Sequence, residues 1–188
     1  MNELSPAVSV RLADMSRTTH AWGTELGAKV FSELNVVLIS LSEGTRVQID
    51  YEGLERSDAS FQREAVVETV RKHRPRLLFV VVNLEDPDIR ANLELALEKR
   101  GESLLLKEPE GRVRVIGRRL TPEQEQLLGA VKTEPGFTST RLTEPPFSLR
   151  SSSTASNQLT SLWKAGLIER IEGAAASGGR EYRYYPVA

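Results

Sequence analysis

Cysteine is absent from this chain of 188 residues, which excludes disulfide bonds, thiolate metal sites and a cysteine nucleophile. Long apolar runs are also missing, because no stretch approaches about eighteen consecutive apolar residues. Residues 1–12 lack the apolar segment of a signal peptide. We therefore expect a cytoplasmic protein that has no membrane partner. The net charge of −1 argues against a protein that coats nucleic acid through a basic surface.

The residues and motifs of common catalytic sites are scarce. The two histidines, His20 and His73, are far apart, and neither has a ligand or an acid nearby at metal-binding spacing. The sequence has no GxSxG, GxGxxG or Walker motif. Glu85, Asp86 and Asp88 form an acidic group that could hold a cation, although Asp86 is also explained as a helix cap, which we prefer. We therefore expect neither an enzyme nor a cofactor or metal site.

The first 117 residues predict alternating strands and helices. A continuous apolar run at 77–82 is typical of a central strand that is covered on both faces. Other strands are predicted at 8–12, 46–50, 103–106 and 112–116, and helices at 26–41, 58–73 and 87–100. This order predicts a small α/β sandwich of about 115 residues.

A second unit is predicted to begin after Gly117. Arg118 and Arg119 form a polar junction, and residues 121–124 (Thr-Pro-Glu-Gln) match a capping box with proline at the first helical position. Residues 1–117 contain 16 Lys and Arg against 19 Asp and Glu, while residues 118–188 contain 9 against 7. The predicted domains are therefore 1–117 and 118–188, with slight excess positive charge on the second.

The second unit predicts two helices followed by a β-hairpin. In the second helix Ala155, Leu159 and Leu162 share one side, and Gly166 ends it. The opposite side bears hydrogen-bonding residues that suit base edges in the major groove, namely Thr154, Asn157, Gln158, Ser161 and Lys164. The hairpin strands are predicted at 168–172 and 180–185, where Arg180 and Arg183 could contact phosphate or the minor groove.

Residues 153–170, followed by Gly178-Gly179-Arg180 and Tyr184, resemble the recognition helix and wing of MarR-like winged helix-turn-helix regulators. The resemblance implies that the helix enters the major groove of double-stranded DNA, that the wing grips the flanking backbone and that the protein is a homodimer. It implies these roles for Thr154, Asn157, Gln158 and Arg180. The other predicted DNA contacts lie on the same helix, its N-terminal approach and the hairpin: Arg150, Ser153, Ser161, Lys164 and Arg183. Pro145 and Pro146 depart from the family where its second helix would lie, and the recognition helix has few Lys and Arg.

The same C-terminal pattern leaves a second interpretation open. Winged helices also serve as protein-binding or dimerisation modules, with the serines acting as helix caps and the polar side facing solvent. The first interpretation predicts a DNA-binding transcription regulator. The alternative predicts a partner-switching adaptor whose winged helix binds protein.

The N-terminal unit resembles the STAS and STAS-like domains of anti-sigma-factor antagonists. The resemblance depends on Asp50 and Gly53 at the end of a strand, followed by residues 57–61 (Ser-Asp-Ala-Ser-Phe) at a helix start. It implies a domain for dimerisation, partner binding or signal sensing, with phosphorylation of Ser60 by a kinase as a switch. The alternative is that Ser57, Asp58 and Ser60 only cap the helix.

Overall fold

The computed structural model describes residues 7–145, 152–174 and 180–188, and it is a mixed α/β structure. Its Cα positions divide into two compact units between Arg119 and Leu120, two residues after the boundary predicted at Gly117. Arg150, a predicted DNA contact, lies outside the described residues, as do residues 175–179 of the predicted hairpin tip.

The N-terminal unit contains one large sheet and one small one among its described residues. Its strands are β1 (Ala7–Arg11), β2 (His20–Ala21), β3 (Arg46–Asp50), β4 (Arg56–Ser57), β5 (Leu78–Val82), β6 (Ser103–Lys107) and β7 (Val113–Gly117). The large sheet has the order β1-β3-β5-β6-β7, and only its β6–β7 pair is antiparallel. The apolar run predicted to be central is its middle strand. The small sheet pairs β2 with β4 in parallel.

The helices of this unit lie between the strands in sequence. They are α1 (Leu12–Ser16), α2 (Gly23–Ile39), α3 (Ala59–Gln62), a π-helical turn (Arg63–Val67), α4 (Glu68–His73) and α5 (Pro87–Arg100). Asp58 caps α3 by accepting a hydrogen bond from the Phe61 amide at 2.8 Å. Asp86 caps α5, with Pro87 at the first helical position and Gly101 (φ +68°) as its C-cap. The chemistry of caps and prolines therefore sets these boundaries.

The strand order explains where the core lies. Each parallel connection moves to the next strand in the same direction, so right-handed crossovers place α2, α3 to α4, and α5 on one face of the sheet. Val47, Ile49, Phe79 and Val81 alternate along β3 and β5 and belong to the same buried cluster as Leu34 and other helix residues. One continuous apolar core therefore joins the sheet to all three crossover segments.

The C-terminal unit has two longer helices and a three-stranded antiparallel sheet. Its elements are α6 (Pro122–Thr133), β8 (Phe137–Thr138), a 3₁₀ turn (Arg141–Thr143), α7 (Ser152–Lys164), β9 (Ile168–Ala174) and β10 (Arg180–Pro186). The sheet order is β8-β10-β9. The capping box predicted at Thr121 is formed, and the backbone amide of Gln124 donates to the Thr121 hydroxyl at 3.2 Å.

Several local features of the N-terminal unit differ from the pattern in the sequence. The sequence predicts neither α1 nor the small β2–β4 sheet, because both are too short to show a repeating pattern of apolar residues. The helix over 58–73 contains a π-helical turn at Arg63–Val67. The helical spacing of apolar residues in α2 predicts Val37 on the inner side together with Leu34 and Leu38. Val37 is instead 38% exposed, because the helix buries a narrower stripe that includes the two leucines.

A buried chain of polar groups joins the residue after β3 to the end of α3 and to β4. The Tyr51 hydroxyl donates to the Gln62 side-chain oxygen at 2.6 Å, and the Gln62 amide donates to the Ser57 hydroxyl at 2.8 Å. All three residues are buried. Burial raises the pKa of the Tyr51 phenol, and the hydrogen bond with Gln62 opposes this effect to a lesser degree. The folded protein therefore strongly favours the neutral phenol.

Because the folded state holds Tyr51 neutral, its stabilising contribution should be complete below pH about 10 and be lost as pH rises above that value. Urea unfolding at pH values from 8 to about 11 should show a fall of up to about 1.4 kcal/mol per pH unit from this group. Tyr51→Phe should remove this part of the slope and cost about 1–3 kcal/mol at neutral pH, because the Gln62 oxygen loses its donor. Equal slopes for the two proteins would contradict the assignment.

The close packing of α2 on α3 predicts a contrast between two helical glycines. A Cβ at Gly27 would lie 2.8 Å from the Glu64 Cβ and 3.0 Å from the Phe61 carbonyl oxygen, whereas one at Gly129 in α6 would meet nothing within 4 Å. Gly27→Ala should lower the free energy of unfolding by about 1–3 kcal/mol through overpacking. Gly129→Ala should raise it by up to about 1 kcal/mol. The check is urea unfolding, and the same sign for both variants would contradict the packing.

Candidate nucleic-acid interface

The rotation of α7 about its axis is set by two leucines. Leu159 and Leu162 are 0% and 1% exposed. On the opposite side a stripe of four residues is exposed, and steps of three, four and three residues keep them in one line: Thr154, Asn157, Ser161 and Lys164. We call these four residues the α7 stripe. Most of the predicted DNA-contacting residues of the helix therefore lie on one exposed line.

Other predicted residues of the helix lie elsewhere. Gln158 is half-buried at the edge of the stripe, between its exposed line and the buried leucines. Ser153 belongs to the first turn of α7, but its side chain is outside the described part. The stripe therefore offers two hydroxyls, one carboxamide and one ammonium group, and no acidic side chain.

An arginine sandwich joins α7 to the β-hairpin. The Arg170 guanidinium of β9 lies 3.4 Å from the ring centre of Trp163 in α7 and 4.2 Å from that of Tyr182 in β10. Arg170 and Thr160 also hydrogen-bond to the Tyr184 side chain, and burial raises the pKa of that phenol. Cation–π contacts of this kind contribute roughly 0.5–2 kcal/mol each. The Arg170 sandwich therefore holds the hairpin against the helix.

The two predicted hairpin arginines lie on opposite faces of the hairpin. Arg180 shares the face of Tyr182 and Tyr184, since alternate residues of a strand point the same way. It is 84% exposed and pairs with Glu172 at 3.2 Å. Arg183 lies on the other face, is exposed and forms no ion pair with any residue in the described ranges. The charge of Arg183 is therefore more available to a phosphate than that of Arg180.

The predicted phosphorylation site lies in the first turn of α3. Ser60 is half-buried. The Asp58 carboxylate in front of it accepts from the Gly23 amide at 2.9 Å as well as from Phe61. Ser57 is 3% exposed and belongs to the buried polar chain with Tyr51 and Gln62. A phosphate on Ser60 would thus face the negatively charged Asp58 carboxylate. That carboxylate already accepts a hydrogen bond from the Phe61 backbone amide at the helix start, where a phosphate would otherwise bind.

The carboxyl ends of the parallel strands form shallow cavities. One of about 390 Å³ is lined by residues that include Tyr51, Asn83 and Glu85. Asp86 borders it, but its carboxylate accepts from the Asp88 and Ile89 amides at 2.9 Å each. Across residues 7–145, 152–174 and 180–188, no group of three or more His, Cys, Asp or Glu is arranged to hold a metal ion. The acidic group at 85–88 thus contains a helix cap, which was the preferred prediction.

The sequence does not indicate the Arg170 sandwich. Trp163, Arg170 and Tyr182 belong to three different elements, and no periodicity links them. From the sequence, Trp163 and the three tyrosines at 182, 184 and 185 are expected in a core or a dimer interface. In the structure Tyr184 is 1% exposed, whereas Trp163 and Tyr185 are half-buried and Tyr182 is 38% exposed.

The sandwich predicts different effects for two hairpin arginines. Arg170→Met keeps the length of the side chain but removes its charge and its hydrogen bond with Tyr184, so the free energy of unfolding should fall by about 1–3 kcal/mol. Arg183→Met on the opposite face is the matched control and should change it by less than about 0.5 kcal/mol. Urea unfolding followed by tryptophan fluorescence measures both. Similar losses from the two variants would argue against the sandwich as the link to α7.

No family model, no curated protein and no solved structure matches this chain. In the described ranges, no helix has the length and apolar character needed to cross a membrane. Inference about function therefore depends on the geometry and chemistry of the chain itself.

Proposed function

We propose that this chain is a DNA-binding transcription regulator, with a STAS-like N-terminal domain and a C-terminal winged helix-turn-helix domain. The carrying observation is the α7 stripe, which is exposed, free of acidic groups and adjacent to a hairpin that the Arg170 sandwich holds in place. In this proposal α7 is the recognition helix and the β9–β10 hairpin is the wing. The N-terminal domain mediates dimerisation, partner binding or signal sensing, and the protein performs no catalysis.

The chemistry of the stripe supports contact with base edges. The major groove is about 12 Å wide and admits one α-helix. The Asn157 carboxamide can donate from its nitrogen to N7 of adenine and accept at its oxygen from the N6 amino group, which is the bidentate pattern that suits adenine. Thr154 and Ser161 have short side chains that allow close approach, and their hydroxyls donate and accept. Lys164 at the end of the helix would meet a phosphate.

The charges of the wing support contact with the DNA backbone. Phosphate contacts position a protein on the duplex without specifying sequence. Exposed Arg183 has no ionic partner among the described residues, so binding a phosphate would not cost it an existing ion pair. Arg180 would have to exchange Glu172 for a phosphate. The helix and the hairpin have few positively charged side chains in total, so each domain should bind DNA with modest affinity. Binding as a homodimer would increase the overall affinity.

A specific observation favours the alternative of a protein-binding adaptor. Ile171 of the hairpin is 39% exposed and lies on the same face as Arg183, and an exposed apolar side chain of this kind is typical of protein interfaces. In that case the winged helix would bind a regulatory protein or a kinase of a partner-switching system. Binding to duplex DNA would then be absent or independent of sequence.

The deciding experiment is selection of bound duplexes from a random pool by the full chain, followed by shift assays at two salt concentrations. The proposal predicts an enriched sequence whose binding weakens as salt rises, because bound phosphates release counterions. No enrichment, together with co-purification of a kinase or ATPase from native cells, would favour the adaptor.

Substitutions on the helix and on the wing separate base contacts from phosphate contacts. Asn157→Ala should lower the preference for the selected sequence over a mismatched one by about 5–100-fold. Arg183→Ala should weaken binding to both sequences by similar factors and reduce the salt slope by about 1, and Arg180→Ala should do so to a smaller extent. Lys99→Ala, at an exposed lysine of α5, is the control and should have no effect. Equal losses of preference from Asn157→Ala and Arg183→Ala would contradict the assigned roles.

A further inference from the structure

Arg76 binds the C-terminal end of α2 with both its side chain and its backbone. Its guanidinium donates to the carbonyl oxygen of Leu38 at 2.7 Å and also to that of Leu41. Its own carbonyl oxygen accepts from the Gly44 amide at 2.8 Å. The last carbonyls of a helix have no partner within the helix, and the helix dipole favours a cation there. Arg76 therefore holds the end of α2 and the turn after it against the segment before β5.

His73, the last residue of α4, orients the Arg76 guanidinium. The Arg76 Nη2 atom lies 3.2 Å from His73 Nδ1, and His73 Nε2 lies 2.8 Å from the side-chain oxygen of Asn35 in α2. A guanidinium can only donate, so Nδ1 must accept and bears no proton. The neutral ring then has its proton on Nε2, which donates to Asn35. These two contacts together therefore select the neutral form of His73.

The surroundings of the His73 ring oppose a positive charge on it. The ring is 5% exposed, and the charged groups that act on it, Arg76 and Lys72, are both positive. Other charged residues of the adjoining segments are paired elsewhere or exposed, namely Glu33, Glu43, Glu68, Arg71 and Arg74. Burial lowers the pKa of His73, and the two cations lower it further.

We propose that His73 and Arg76 form an acid-sensitive clamp on the C-terminal end of α2. A proton taken from water by Nδ1 removes the acceptor for Arg76 and places a second positive charge beside its guanidinium. Arg76 then leaves the carbonyls of Leu38 and Leu41, and residues 38–44 detach from the segment before β5. Histidine suits such a switch because it titrates between about pH 5 and 8. The inference concerns the N-terminal unit alone, so it stands or falls independently of DNA binding.

The direction of the pH dependence follows from the two states of the clamp. In the open state the His73 ring meets water and has the ordinary histidine pKa of about 6.5, whereas in the closed state its pKa is lower. The clamp is therefore fully stable above about pH 6.5. Below that value the ratio of closed to open molecules falls by up to about tenfold for each pH unit, until the pKa of the closed state is reached.

Hydrogen exchange of the full chain, read as protection factors that correct for the intrinsic effect of pH, tests the clamp. Between about pH 7.5 and about pH 5 the protection of residues 38–44 should fall by up to about 30-fold, while that of central strand β5 stays constant. His73→Gln should abolish this fall. His20→Gln, at an exposed histidine that contacts Glu55, is the matched control and should keep it. Constant protection of residues 38–44, or an equal fall in β5, would overturn the clamp.

Two further measurements do not depend on the folding of the His73 variant. Asn35→Asp places a carboxylate beside Nε2, which raises the pKa of the closed state and should reduce the fall in protection several-fold. Proton–nitrogen NMR spectra of the two imidazole rings, assigned with His20→Gln, should show His73 Nδ1 without a proton at about pH 7.5. A proton on Nδ1 at that pH, or an undiminished fall in the Asn35→Asp variant, would contradict the proposed switch.

Discussion

The burial of Leu159 and Leu162 is the constraint on which the proposed interface depends. Two leucines three residues apart fix the rotation of an α-helix, because turning either into water would cost roughly 1.5–3 kcal/mol. With that rotation fixed, the side chains at 154, 157, 161 and 164 must face outward. The same contacts place Trp163 beside the hairpin, where Arg170 stacks on its ring. The orientation of the helix and the attachment of the hairpin therefore both follow from the burial of these two leucines.

A comparable constraint acts on α2 in the N-terminal unit. The parallel strands follow one another across the sheet in a single direction, and this places every crossover helix on the same face. Each helix therefore has one side against the sheet or its neighbours and one side in solvent. The close contact of Gly27 with Phe61 and Glu64 fixes the rotation of α2. This rotation leaves Val36 and Ile39 outside the core. The helix thus buries one apolar side within the chain and leaves further apolar side chains exposed at its C-terminal end.

Much of the fold follows from local patterns. Strands of alternating or continuous apolar residues, and helices with caps such as Asp86 or Thr121, have boundaries close to those predicted, because their causes lie within a few residues. The α7 stripe could likewise be predicted, since Leu159 and Leu162 define the opposite side. Features that join distant segments could not. Three such features are the Arg170 sandwich, the Tyr51–Gln62–Ser57 chain and the pairing of β2 with β4. Each brings together residues that are distant in the sequence, and no repeating pattern of residues indicates these contacts. The pairing of Arg180 with Glu172 is similar, because it depends on the register of the hairpin.

The central claim is that the exposed side of α7 contacts DNA. The most direct measurement is an NMR titration of the isotope-labelled full chain with a duplex selected for binding. The account predicts that the largest changes in chemical shift occur at Thr154, Asn157, Ser161 and the β9–β10 hairpin, and that a scrambled duplex changes the hairpin more than the helix. Changes confined to the N-terminal unit, or a saturated complex in which the α7 resonances do not move, would contradict it.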